Sequence, residues 1–135
     1  MKKLQLFLVS LWLFSAIVSA QDAASKKEAE DENRQILKNM QEGGFDFSKP
    51  HLVDFFAIFP SKKQADTVAN LYNKEKTTHK ELKSVQVHRD ENGDYELSVQ
   101  VLMQVSYDNV TNFEKKMLVR ANAQKGKFNG WGVFQ

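Results

Sequence analysis

Histidine and cysteine, the side chains that most often bind metals, are scarce in this chain. Its 135 residues include three histidines, His51, His79 and His88, and no cysteine. No two of these histidines have the H-x-x-H or H-E-x-x-H spacing of a metal site, and no thiolate is present to complete one. The spacing indicates surface or turn roles for the histidines and predicts neither a metal nor a cofactor.

The other candidates for catalysis have simpler structural explanations. Asp90, Glu91 and Asp94 form a cluster in which paired carboxylates could act as acid and base, yet aspartate favours turns on its own account. Ser61 and Ser84 lack the G-x-S-x-G context of a nucleophile elbow. We therefore predict no catalytic residue and a protein that is not an enzyme.

The sequence also argues against phosphate and nucleic-acid binding. It has no P-loop, and the glycines near its C-terminus do not lie between a strand and a helix, as a dinucleotide site requires. The lysines between residues 62 and 80 are interspersed with acids such as Asp66 and Glu75, which is typical of a solvated helix face. We expect no nucleic-acid partner.

Residues 1–20 have the pattern of a secretory signal peptide. Lys2 and Lys3 precede an apolar run, and Val18 and Ala20 place compact side chains at the −3 and −1 positions. We predict cleavage after Ala20, a periplasmic or secreted location, and no membrane association afterwards. Retention as a membrane anchor is the alternative, although the run is short for a bilayer span. Lys2 and Lys3 account for the whole net charge of +2, so the mature chain is neutral.

The elements that must position any site are organised around residues 93–105. Apolar and polar side chains alternate there, which is typical of a strand with one buried face, and Leu102 is the one apolar residue on the polar face. A second strand over residues 51–59 is apolar on both faces except at Asp54. We expect its second face to be covered by the first helix or to bind a partner. The apolar residues of that face are Leu52, Phe56 and Ile58.

Apolar residues at helical spacing predict three helices. After a flexible leader over residues 21–27, the first helix runs over residues 28–42. The second covers residues 61–76 with Ser61 as its N-cap, and the third starts with Asp108 as its cap.

Further strands are predicted over residues 82–89 and 130–134, with a turn over residues 124–129 and a tight hairpin at Asn92-Gly93. After the first helix the order is βαββαβ, the ferredoxin-like arrangement. We therefore predict a single α+β domain over residues 28–135, an antiparallel sheet backed by helices, with an additional N-terminal helix.

The segment FNGWGVF, Phe128 to Phe134, resembles the end of the regulator of ribonuclease E activity B (RraB) family, in which Gly-Trp-Gly follows an acidic or amide residue. The order of elements is also similar. The resemblance implies a ferredoxin-like fold and a non-enzymatic inhibitor that binds a ribonuclease. Gly130, Trp131 and Gly132 match the motif, and we interpret them as structural, since glycines permit a tight backbone and the indole can seal a core.

The chain departs from that family in its neutral mature charge and its export signal, because family members are acidic and cytoplasmic. Our first hypothesis is an exported protein-binding module whose partner is unknown. The alternative is regulation of ribonuclease E by a chain that stays in the cytoplasm. A small-ligand binder is a third hypothesis that requires a pocket with converging polar groups.

Overall fold

A computed structural model describes residues 4–5 and 19–134. The predicted signal peptide lies outside the described residues except for Leu4–Gln5 and residues 19–20. Within the described ranges, no helix is long and apolar enough to cross a membrane. In chain order the elements are β1 (Leu4–Gln5), α1 (Ser19–Glu42), β2 (Pro50–Phe59), α2 (Lys62–Lys76), β3 (Leu82–Arg89), β4 (Tyr95–Gln104), α3 (Tyr107–Ala123) and β5 (Lys127–Phe134).

The strands form one antiparallel sheet in the order β1-β5-β2-β4-β3. From β2 onward, the succession of elements and the strand order are those of the ferredoxin-like fold, so the α+β prediction is confirmed. The organising strand β4 lies between β2 and β3 and pairs with β2 over its whole length. Because β1 belongs to the predicted signal peptide, cleavage after Ala20 would leave β5 as the edge strand.

The core lies between one face of the sheet and the helices α2 and α3. The odd-numbered residues of β2 from Val53 to Phe59 are fully buried on that face. The ring of Phe113 on α3 contacts Phe55 of β2, with centroids 4.3 Å apart, and stacks on Tyr72 of α2 at 5.8 Å. These ring contacts place both helices on the same side of the sheet, as the alternating pattern requires.

The sequence predicted the N-cap of α2 correctly and the N-cap of α3 wrongly. Ser61 caps α2 as predicted, because its Oγ accepts a hydrogen bond from the backbone N–H of Gln64 at 3.3 Å. The predicted cap of α3 is wrong: Ser106 is the N-cap, and its Oγ accepts from the N–H of Asn109 at 3.1 Å. Asp108 instead lies in the first turn, where its negative charge complements the helix dipole.

Two element boundaries also differ from the prediction. Helix α1 begins at Ser19 and includes residues 21–27, which were expected to be a flexible leader; alanine and lysine in this segment are strong helix formers. Strand β5 begins at Lys127 because the preceding turn is shorter than expected. Lys125 adopts a φ of 58°, and the N–H of Gly126 bonds back to Ala121, an ending typical of helix C-termini.

Gly126 also lies where no side chain would fit. A Cβ at this position would overlap the ring of Phe59. The chain therefore reverses closely against the end of β2, and Lys127 is already paired with Ile58.

Candidate functional site

The face of the sheet opposite the core has no helix over it among the described residues. The even-numbered residues of β2 point to this side, which we call the open face. Helix α1 packs against α3 on the other side, so of the two alternatives left open for this face, cover by the first helix is wrong. The structure places the three predicted partner residues of this strand together on the open face, each half-buried: Leu52, Phe56 and Ile58.

The neighbouring strand β4 extends the apolar surface. Leu102 pairs with Leu52 and is 37% exposed, so the residue that interrupts the polar pattern of β4 lies beside the apolar residues of β2. We did not select Leu102 as a site residue from the sequence, although its break in the alternation was a usable signal. The apolar side chains therefore form a row along β2 that Leu102 widens at one end, while Ser98 and Glu96 of β4 lie opposite Phe56 and Ile58. Exposed apolar side chains grouped in this way are found at protein interfaces.

A carboxylate lies within this apolar surface. Asp54 is only 4% exposed and lies between Leu52 and Phe56 along β2, with Gln100 opposite on β4. Its Oδ2 atom is buried and makes no hydrogen bond with any described residue. Burial raises the pKa of Asp54 to about 6, and a hydrogen bond from Gln100 opposes that rise. The sequence marked Asp54 only as an interruption of an apolar face.

The Gly-Trp-Gly segment of β5 contributes to both sides of the sheet. Gly130 lies opposite Phe56 and Gly132 lies opposite Asp54, so the glycines leave the open face without side chains beside β2. Gly130 has a φ of 108°, in the region that favours glycine, where a bulge shifts the β2–β5 register. A Cβ at Gly132 would meet no described residue within 4 Å, so close packing in the described part of the chain does not require glycine there.

Trp131 points the other way and joins β5 to two helices. It is 1% exposed, and its Nε1 donates a hydrogen bond of 2.9 Å to Oδ1 of the buried Asn33 on α1. The Nδ2 group of Asn33 donates in turn to Oγ1 of Thr111 at 3.3 Å and to the carboxylate of Glu114, both on α3. This buried network holds α1 on the domain, so Trp131 has a structural role in addition to filling the core.

The residues considered for catalysis do not converge. Among the described residues, no group of three histidine or acidic side chains is arranged to hold a metal ion. His51 bonds the backbone of Asp46 at 2.8 Å, whereas His88 lies 3.4 Å from Glu96 at one end of the open face. His79 bonds the backbone of Glu75 near the end of α2.

The carboxylate cluster belongs to the turn between β3 and β4. Oδ1 of Asp90 accepts from the N–H groups of Asn92 and Asp94, both at 2.9 Å, and Gly93 adopts a φ of 84°. Since Asp90 and Asp94 are themselves paired through their backbones, the hairpin predicted at Asn92-Gly93 has a loop of three residues, 91–93.

The helical side of the molecule carries a groove of about 520 Å³ between α1 and the start of α3. Arg34 and Lys38 line it, and the guanidinium of Arg34 lies 4.0 Å from the centroid of the Tyr107 ring. The groove is open, and one of its two cations already stacks on an aromatic ring.

Comparison with known protein families assigns most of the chain to one of them. The family model described as Regulator of ribonuclease activity B matches residues 30–133, which include most of α1, the whole βαββαβ unit and the Gly-Trp-Gly segment. No curated protein matches the chain.

Proposed function

Because the chain belongs to the regulator of ribonuclease activity B family, we propose that it is a non-enzymatic regulatory module that acts by binding another protein through its open face. The family consists of regulators rather than enzymes. The observation that carries the proposal is the row of apolar side chains on β2, with Leu102 of β4 beside it and no described helix over them. A sheet face of this composition is stabilised when another molecule covers it.

The contact surface that we propose consists of half-buried and exposed apolar side chains on two central strands. Its members are Leu52, Phe56, Ile58 and Leu102. Central strands are held by hydrogen bonds on both edges, so this surface is rigid before a partner arrives. Rigidity lowers the entropic cost of association, which favours a face on the sheet over one on a loop.

We further propose that the protein acts outside the cytoplasm after cleavage at Ala20. The charged start, the apolar run and the compact residues before Gln21 support this proposal. Mass spectrometry of the protein from fractionated cells tests it. We expect a mature N-terminus at Gln21 in the extracytoplasmic fraction; an intact N-terminus in the cytosol would overturn it.

Affinity capture with matched variants tests the binding surface. We expect the wild-type protein to retain a partner from an extracytoplasmic extract, and Leu102→Glu to retain at least tenfold less of it. Val119→Glu places the same charge on the exposed side of α3, where Val119 is 58% exposed. This control should retain the partner. Equal capture by both variants would show that the open face is not the contact surface.

Regulation of a ribonuclease in the cytoplasm is the second candidate, and the family match favours it. It predicts that the chain without residues 1–20, expressed in the cytosol, inhibits purified ribonuclease E on a structured RNA substrate. Leu102→Glu should weaken that inhibition if the same face is used. Absence of inhibition at micromolar concentrations would leave the exported module as the better account.

A further inference from the structure

Asp54 is the one described side chain whose chemistry does not fit the surface around it. Along β2, Asp54 lies between the apolar Leu52 and Phe56, and Gln100 and Gly132 lie beside it on the neighbouring strands. Burying a carboxylate between apolar side chains is unfavourable unless a donor or a cation compensates it. Gln100 offers one neutral donor, but Oδ2 is buried without a hydrogen bond to any described residue.

The space beside this carboxylate suits an incoming side chain. Gly132 lies directly across from Asp54 on β5, and a Cβ placed on Gly132 would meet no heavy atom of the described residues within 4 Å. On the other side of Asp54, Gln100 is only partly buried and can move aside. Because Oδ2 is buried in the unbound chain, a partner's side chain that lies over the backbone of Gly132 reaches it only when Gln100 shifts.

The other charged groups of this face are remote from Asp54. Glu96 on β4, His88 on β3 and Lys127 on β5 lie level with Ile58. Ile58 is four residues along β2 from Asp54, or about 13 Å at the rise of an extended strand. Lys83, at the bulge of β3, is nearer in register but lies two strands away from Asp54, beyond Gln100, or about 10 Å at the spacing of neighbouring strands.

We propose that Asp54 is the specificity-determining residue of the open face and that it binds the guanidinium or ammonium group of an arginine or lysine flanked by apolar residues on a partner protein. The proposal rests on the function proposed above, since it requires that a protein partner covers this face. A cation at Oδ2 supplies the missing hydrogen bond and the charge compensation, while its apolar neighbours contact Leu52 and Phe56. A single carboxylate and one amide are too few ligands for a metal ion.

The raised pKa of Asp54 supports this assignment. A cation that binds the carboxylate favours its ionised form. At a pH where Asp54 is protonated, binding of the cation therefore requires release of that proton. Affinity for a cationic segment should therefore rise as the pH is raised from 5 to 7.5, and affinity for an uncharged segment of the same shape should not.

Peptide titrations of the full chain test the proposal. The probes are acetyl-Ser-Leu-Arg-Leu-Ser-amide and the same peptide with citrulline in place of arginine, which keeps the shape and removes the charge. We expect the arginine peptide to shift the backbone amide NMR signals of Asp54, Gln100 and Gly132 at millimolar concentrations. The citrulline peptide should bind at least tenfold more weakly.

Two variants distinguish the effect of the Asp54 charge from that of the free volume over Gly132. Asp54→Asn keeps the size of the side chain and should reduce binding of the arginine peptide to the level of the citrulline peptide. Gly132→Val fills the space beside Oδ2 without touching the core and should block both peptides. Val119→Ser on the exposed side of α3 is the control and should bind like the wild type.

Two results would overturn the assignment of Asp54. Equal binding of the two peptides to the open face, unchanged in Asp54→Asn, would contradict it and leave the apolar contact surface intact. Peptide-induced shifts confined to the groove of Arg34 and Lys38 would also contradict it. Failure of the proposed function is recognised separately, by capture of a partner that Leu102→Glu does not impair.

Discussion

Asn33 is the residue on which the attachment of α1 to the domain depends. Its amide both accepts from the indole of Trp131 and donates to Thr111 and Glu114, so one side chain joins β5 to two helices in a buried site. The sequence places Asn33 within the predicted first helix, residues 28–42. It could not identify the partners, because they are 78 to 98 residues away along the chain.

We expect Asn33→Leu to destabilise the protein by about 2–4 kcal/mol, because the indole N–H and the Glu114 carboxylate both lose a buried hydrogen bond. Urea unfolding followed by circular dichroism measures the change. Gln35→Ala removes an exposed hydrogen bond to Asn39 on the same helix and should cost less than about 0.5 kcal/mol. Similar costs for the two variants would show that the buried network does not hold α1.

Asp54 makes the stability of the protein depend on pH. Its pKa is raised from 3.8 to about 6 in the folded state, so its contribution to stability is fully present below about pH 4 and is lost as the pH rises through about 6. We expect Asp54→Asn to be more stable than the wild type by about 1–3 kcal/mol at pH 7.5, with no difference at pH 4. Urea unfolding at several pH values provides the test, and a difference that does not change with pH would contradict the burial of this carboxylate.

Helices α2 and α3 are joined by an ion-pair network at the surface of the core. The carboxylate of Glu75 on α2 accepts from Arg120 and from Lys116 on α3, the latter at 3.1 Å. The guanidinium of Arg120 also lies 4.6 Å from the centroid of the Tyr72 ring, and burial raises the pKa of that phenol to about 12. The hydrogen bond from Arg120 is the main reason that the pKa of Glu75 is lowered to about 2, and the hydrogen bond from Lys116 adds to the effect.

This network predicts a loss of stability in acid. Since the pKa of Glu75 is depressed in the folded state, its contribution is present above pH 4.5 and is lost as the pH falls toward 2. We expect Glu75→Gln to cost about 1–2 kcal/mol at pH 7, less than the pKa shift alone implies because the site is partly solvated. Urea unfolding at several pH values should show that this loss of stability becomes smaller as the pH is lowered from 5 to 3. Asp66→Asn, which breaks the exposed pair with Lys62, is the control and should cost little at any pH; a cost for Glu75→Gln no larger than the control's would contradict the network.

The elements most fully specified by the sequence are those with strong local periodicity. The alternation in β4, the two apolar faces of β2 and the stripe of α2 each predicted the correct element, because burial on one side imposes the period. The errors lie at boundaries set by contacts that a pattern does not contain. The cap of α3 depends on Ser106 leaving β4 in an extended conformation, and the start of β5 depends on Gly126 fitting against Phe59.

At the scale of the whole molecule, the two faces of the sheet differ: one packs in the core, and we propose that the other binds a partner. One face packs under α2 and α3, and the network of Trp131 holds α1 on that same side, which leaves the open face of β2 and β4 without a described helix. The apolar residues of this face were predicted from the alternation in β2. Their arrangement around Asp54, the bare glycines of β5 and Leu102 needed the strand register, since these residues come from three strands.

Site-specific photocrosslinking in living cells tests the binding role of the open face most directly. A photoreactive phenylalanine analogue at Leu102 lies on the open face, and the same analogue at Val119 lies on the exposed side of α3; both positions are solvent-accessible. We expect illumination to yield a discrete adduct with another protein from position 102 and none from position 119. Adducts from position 119 with none from position 102 would contradict a binding role for the open face.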